Sequence, residues 1–127
     1  MCPTRIIAGE AIIDHPINFQ WTDDVWLKND TKKSGFVEEI VSKALQFYRQ
    51  KGANGYFVFD PTAIAIALDP NIVIEDTQIE TEVNLKHSEC RGHLEIKLRD
   101  PSIDGNLFLI QKINIDILKE MLWNAVK

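Results

Sequence analysis

Only two cysteines, Cys2 and Cys90, occur in this chain, too few and too far apart for a secreted disulfide framework or a four-ligand zinc site. Both are read as free thiols. Its three histidines, His15, His87 and His93, share no metal-ligand spacing such as H-x-x-x-H, and surface positions are expected for them. A Gly-rich phosphate loop, a G-x-S-x-G elbow and a Cys and His pair at recognisable spacing are all missing, so no complete catalytic constellation is present. No apolar run reaches the length of a membrane span, and the amino terminus lacks the basic start and apolar stretch of a signal peptide. A cytoplasmic protein without a membrane partner is expected. Basic residues are scattered, the net charge is -5 and the pI is near 5.1, which argues against nucleic acid as a partner.

What is present points to a globular protein. Hydrophobic residues make up 45% and charged residues 26% of 127, enough for one core in a single domain spanning 1-127. "RIIAGEAII", residues 5 to 13, carries β-branched residues around a glycine and predicts one bent strand or two short ones. The following "HPINFQWTDDVWLKNDTKKSG" reads as a turn, a short helical piece and a loop, with Trp21 and Trp26 either filling core or lining a pocket.

From Ser34 the apolar residues Phe36, Val37, Ile40, Val41, Ala44, Phe47 and Tyr48 recur at helical spacing, predicting an amphipathic helix with one buried face that Gly52 stops. Ala63 to Leu68 predict a second helix, apolar all round and therefore buried, with Asp60 as N-cap and Pro61 at its first position. Asp69-Pro70 ends it. The period then changes to two. Ile79, Thr81, Val83 and Leu85 alternate with Glu80, Glu82 and Asn84, as Leu94, Ile96 and Leu98 do with Glu95, Lys97 and Arg99. Two half-buried antiparallel strands are expected, joined through "KHSECRG", with acids facing bases on the solvent side. After a turn at "DPSIDGN", where Asp100 and Asp104 read as turn residues, "LFLIQKI" predicts a buried strand. A last helix is capped by Asn114, with Ile117, Leu118, Met121, Leu122 and Ala125 on one face. This order of elements gives an α/β or α+β fold, helices packed on a sheet.

One stretch invites chemistry. In "GYFVFDPTAIAIALDP", residues 55 to 70, a carboxylate stands between an aromatic run and a helix. Asp60 there is either a helix cap or a metal ligand, and the spacing alone leaves both open.

Residues 52 to 127 resemble the C-terminal part of the inosine-uridine type nucleoside hydrolases. In that family a His-Asp-Pro or Trp-Asp step opens a buried helix that an "AxAYxxDP"-like segment closes. A strand reading "xxVxVE" and one reading "TRGxTxxD" follow. Here the corresponding pieces are Phe59-Asp60-Pro61, Ala65 to Pro70, Ile79 to Val83, and Cys90-Arg91-Gly92 leading to Asp100, with "LFLIQKINIDILKEML" like the family's closing strand and helix.

The resemblance implies helices on a mixed sheet and a hydrolase of N-ribosides in which calcium grips the ribose diol and a water. Asp60 would then be the metal ligand from this part of the chain. Phe59 stands where many members carry a proton-donating His, so this chain is closer to the purine-preferring members, with Phe59 and Tyr56 as substrate-binding residues stacking on the base. The family's D-x-D-P-G-x-D-D cluster, which carries the general base and most calcium ligands, has no counterpart in residues 1 to 50, where Asp23-Asp24 is only a fragment of the pattern. The implied protein is a nucleoside hydrolase-like chain, inactive alone and holding no calcium by itself. Its expected partner is a complementing N-terminal chain or another copy of itself. The rival expectation is a non-catalytic binding or interaction module derived from that fold.

Overall fold

A computed structural model describes residues 4-97, 105 and 107-127. Cys2, Leu98 and Arg99 of the second alternating segment, Asp100, Asp104 and the turn assigned to "DPSIDGN", apart from Gly105, lie outside the described residues.

The sheet is mixed. Strands β1 (Arg5–Ile7), β4 (Val73–Val83), β5 (Leu94–Lys97) and β6 (Leu107–Ile113) lie in the order β1-β6-β4-β5. β1 runs parallel to β6, and the other neighbours are antiparallel. Two further strands, β2 (Ile17–Asn18) and β3 (Gly55–Tyr56), form a separate antiparallel ribbon. The helices are α1 (Gly9–Ile13), α2 (Phe19–Trp21), α3 (Lys32–Gln50), α4 (Phe59–Leu68) and α5 (Ile115–Val126). α2 runs into a π-helical turn, Thr22–Trp26, and a 3-10 turn, Pro70–Ile72, joins α4 to β4.

The closing strand and helix form as expected. β6 buries Leu107, Ile110 and Ile113, and the Asn114 side chain accepts hydrogen bonds from the N–H groups of Asp116 and Ile117, capping α5. Leu118, Leu122 and Val126 of α5 are buried, each contributing about 1.5–3 kcal/mol of burial. Ala125, expected on that face, is exposed, because the buried stripe runs 118, 122, 126. The β4–β5 pairing also forms, with Glu80 opposite Lys97 and Lys97 Nζ 3.1 Å from Glu82 Oε2 on the solvent side. β4 begins six residues earlier than its alternating pattern, with a bulge near Glu75 where it leaves the 3-10 turn.

Four expectations are corrected. Residues 5–13 hold one short strand and then a helix, because burying Ala11 and Ile12 together against the body outweighs the β-preference of the isoleucines. α3 starts at Lys32, where the Thr31 hydroxyl accepts from Ser34 N–H and donates to the Val126 carbonyl, fixing this end of α3 to the end of α5. α4 is not buried all round: Ala65 and Ile66 face the core, while Ile64 is 62% and Leu68 74% exposed. The alternation of the β4–β5 hairpin buries Ile79 but not its end, where Val83, Leu94 and Ile96 are all exposed.

The core is one cluster built around Ile17, Trp26, Leu45, Ile72, Ile110 and Leu118. α3, α4 and α5 pack over it, and the grooves between them form the floor of the candidate site.

Candidate functional site

The end of β3 and the first turn of α4 carry all three sequence-predicted site residues, Tyr56, Phe59 and Asp60. β3 can lie against β2 only because residue 55 is glycine: a Cβ there would stand 2.4 Å from the Ile17 carbonyl oxygen. That close pairing sets where Tyr56 points. Its ring stacks on Trp26 at 6.4 Å between centroids and meets Tyr48 edge-on at 5.9 Å. The row continues in both directions, through Trp21 at one end and through Phe57 to Phe59 at the other. Such contacts contribute about 0.5–1.5 kcal/mol each beyond burial.

Trp26 and Tyr48 are the members that sequence reasoning did not place beside Tyr56. Signals existed for both. Trp26 follows the Asn18 cap, whose side chain accepts from Gln20 and Trp21 N–H and starts the helical turns. Tyr48 lies on the inner side of α3, one turn after the buried Leu45. Trp26 is in the core, as the bland reading of the tryptophans has it, and its Nε1 is buried with no hydrogen-bond partner among the described residues.

Asp60 corrects one of the two open readings. It does not cap α4: the N-cap residue is Val58, which makes no side-chain cap bond, and Asp60 lies within the first helical turn. The neighbouring Thr62 hydroxyl donates to the Val58 carbonyl instead. The Asp60 carboxylate remains at the helix N-terminus, where the macrodipole favours a negative charge.

Two apolar grooves meet beside it. One, of about 320 Å3 between α4 and α5, is lined by Asp60, Ile64, Leu68 and Met121. The other, of about 260 Å3 towards α3, is lined by Trp26, Ile40, Tyr56 and Val126. Pro61, Leu122 and Ala125 line both. Asp60 and Tyr56 are thus brought to one mouth, whereas Phe59 lines neither groove and is 39% exposed at the end of the aromatic row. Burial holds the Tyr56 hydroxyl above its ordinary range, and Tyr48 and the Asp60 carboxylate push it the same way. At neutral pH Tyr56 is a hydrogen-bond donor.

Among the described residues the oxygens beside Asp60 fall short of a calcium shell. A calcium ion takes about six to eight oxygens. Among the described residues no three His, Cys, Asp or Glu side chains are gathered where one ion could reach them. Asp23, part of the acidic fragment near the amino terminus, is engaged elsewhere, with both of its oxygens held by Arg49.

No family model matches the sequence, and no curated protein matches it. The fold nevertheless defines a class: the chain has the architecture of the C-terminal part of a nucleoside hydrolase. In particular it is similar to an inosine-guanosine nucleoside hydrolase, with a TM-score of 0.86 and 21% identity over 98% of this chain. It is also similar to a purine-preferring ribonucleoside hydrolase from Gardnerella vaginalis, with a TM-score of 0.80 and 16% identity over 99% of this chain. The chain spans 39% of the first protein and 41% of the second, well under half of either.

Proposed function

We propose that this chain is the part of a nucleoside hydrolase-like protein that supplies an aromatic surface and a single carboxylate, and that it does not hydrolyse nucleosides by itself. One observation carries this: the chain has a hydrolase architecture over 98% of its length, yet among the described residues no acidic cluster surrounds Asp60. Hydrolysis of an N-riboside needs a water activated for attack and a leaving base stabilised as it departs. The described residues offer a wall for a base but no group of carboxylates to hold a metal and its water. Those would come from a second half, in another polypeptide or in the same one. Calcium, which the family resemblance implies, would need most of its ligands from there.

A purine is the base this surface suits. Phe59 cannot donate a proton to a leaving base, so aromatic contact is what the step at 59-60 can provide, and the two similar hydrolases bear purine nucleosides in their names. The second reading, a non-catalytic interaction module, is favoured by the exposed Phe36, Ile40 and Phe47 on α3.

The test is ribose release from inosine, guanosine, adenosine and uridine with added calcium, by the chain alone and mixed with a polypeptide bearing an acidic cluster. The chain alone should be blank, and the mixture should release ribose in a way that Asp60→Ala abolishes. Steady release by the pure chain would overturn the proposal. A blank mixture in which the two polypeptides still bind would favour the interaction module.

A further inference from the structure

Asn54-Gly55 is the one Asn-Gly step in the chain. Glycine has no side chain to shield its nitrogen, so that nitrogen can reach the carboxamide carbon of the asparagine before it. Closing a five-membered ring there is an intramolecular reaction, favoured by proximity. Asn54 stands exposed in the bend between α3 and β3.

Its side chain is also unrestrained. Among the described residues, Asn54 is the one asparagine whose side chain makes no hydrogen bond. Asn18 and Asn114 cap helices, and Asn124 accepts from Lys127. Asn29, Asn71 and Asn84 each donate through Nδ2, to a main-chain carbonyl or to the carboxylates of Asp69 and Glu95. In those three the nitrogen that ring closure would expel is held in place, and at Asn54 nothing holds it.

Just downstream the chain has no slack. An atom added as Cβ at Gly55 would stand 2.4 Å from the Ile17 carbonyl oxygen and 3.0 Å from Pro16 Cβ, so the main chain there cannot shift towards β2. Tyr56 is the next residue, and its ring stacks on Trp26 at 6.4 Å.

We propose that Asn54 is a self-modifying site: its side chain cyclises onto the Gly55 nitrogen and opens to isoaspartate, and the lengthened main chain lifts Tyr56 off Trp26. In the first step the Gly55 nitrogen gives up its proton and bonds to Cγ of Asn54. The Cγ–Nδ2 bond breaks, and that nitrogen leaves as ammonia with the proton. One water then opens the ring. Attack at Cγ restores the ordinary chain with an aspartate at position 54. Attack at the main-chain carbonyl carbon routes the chain through Cβ and Cγ instead, one carbon longer. The added carbon enters directly before the close contact at Gly55, so the β2–β3 ribbon must part to admit it. The groove beside Asp60 that Tyr56 and Trp26 line then loses a wall. Water is the only co-reactant, and the rate rises with pH because the attacking nitrogen must shed its proton. All of this holds whether or not the chain takes part in nucleoside hydrolysis.

The experiment incubates the folded full chain at neutral and at mildly alkaline pH. Peptide mapping by mass spectrometry locates each new acid, and isoaspartyl methyltransferase labelling separates isoaspartate from aspartate. Acid should accumulate at position 54 about tenfold or more faster than at any other asparagine, faster again at the alkaline pH, with isoaspartate the major product. Asn54→Gln, at an exposed position, should abolish it, because a glutamine would have to close a larger ring. Asn54→Asp supplies the new charge without the longer chain. In nuclear magnetic resonance spectra the Trp26 indole signal, shifted by the stacked Tyr56 ring, should stay in place in Asn54→Asp. In the purified isoaspartate form it should move at least about half of the way to its value in urea. Acid appearing at position 54 no faster than at Asn18 or Asn71 would overturn the proposal, as would an isoaspartate form with an unmoved Trp26 signal. An equal movement in Asn54→Asp would overturn it too, since charge rather than chain length would then be the cause.

Discussion

Gly55 and Tyr56 are adjacent and answer to different physics. At Gly55 the backbone of β2 leaves no space, so Gly55→Ala must separate the ribbon and should cost about 1–3 kcal/mol, read as a lower melting midpoint. An unchanged midpoint would mean that the ribbon is not closely paired. At Tyr56 the effect is a titration. Its hydroxyl is raised by burial first, then by Tyr48 and Asp60, so the folded protein keeps the proton at a pH where the unfolded chain has lost it. The resulting stability is fully present below the unfolded value near 10 and is lost as pH rises through the higher folded value. Asp60→Asn should lower the Tyr56 value in a tyrosinate absorbance titration without returning it to the ordinary one, because burial is the larger cause. No movement would show that Asp60 and Tyr56 do not share a site. Because Val58 is the cap residue, Asp60→Ser and Asp60→Asn should be no more stable than Asp60→Ala.

Among the elements, α3 departs furthest from its pattern. Its spacing predicts a single buried face, but only Ser34, Val41 and Leu45 are buried, while Phe36 is 65%, Ile40 62% and Phe47 53% exposed. The apolar arc is wider than the surface α3 rests on, so a helix that reads as amphipathic keeps part of its greasy side in water. Replacing Phe36 and Ile40 together by Ser should therefore change stability by no more than about 0.5 kcal/mol each. A large loss in a urea titration would mean that these side chains are covered. α4 tells the same story at Ile64 and Leu68: an all-apolar sequence gives no direction, and its buried side was set by what it packs on. The start of α5 was readable because its Asn114 cap is local.

At the scale of the whole molecule, exposed apolar side chains on α3, α4 and the β4–β5 hairpin make self-association the expected behaviour of the isolated chain at micromolar concentration. Light scattering checks this, and the Phe36→Ser, Ile40→Ser double variant should shift the population towards monomer. A monodisperse monomer in both cases would remove the argument that these surfaces await a partner.

The sequence by itself determined what depends on neighbours along the chain. The Asn114 cap, the stop at Gly52 with its φ of +69°, the change of period that marks β4 and β5, and the helices-on-sheet class all follow from near-neighbour sterics and hydrogen bonding. So did the likeness to a nucleoside hydrolase, whose motif steps are short and local. The tertiary structure decided everything that needs distant segments to meet. It alone paired β1 with β6, about a hundred residues away, turned residues 9–13 into a helix, and stacked Trp26 and Tyr48 around Tyr56. Asp60 shows the division most plainly. Its position after an aromatic and before Pro61 suited both a cap and a metal ligand, and only the folded backbone, which made Val58 the cap residue, excluded the first. The reason is that a cap depends on where the backbone turns helical, and here it does so at Phe59, one residue before Asp60, with the Thr62 N–H and hydroxyl both bonding back to the Val58 carbonyl.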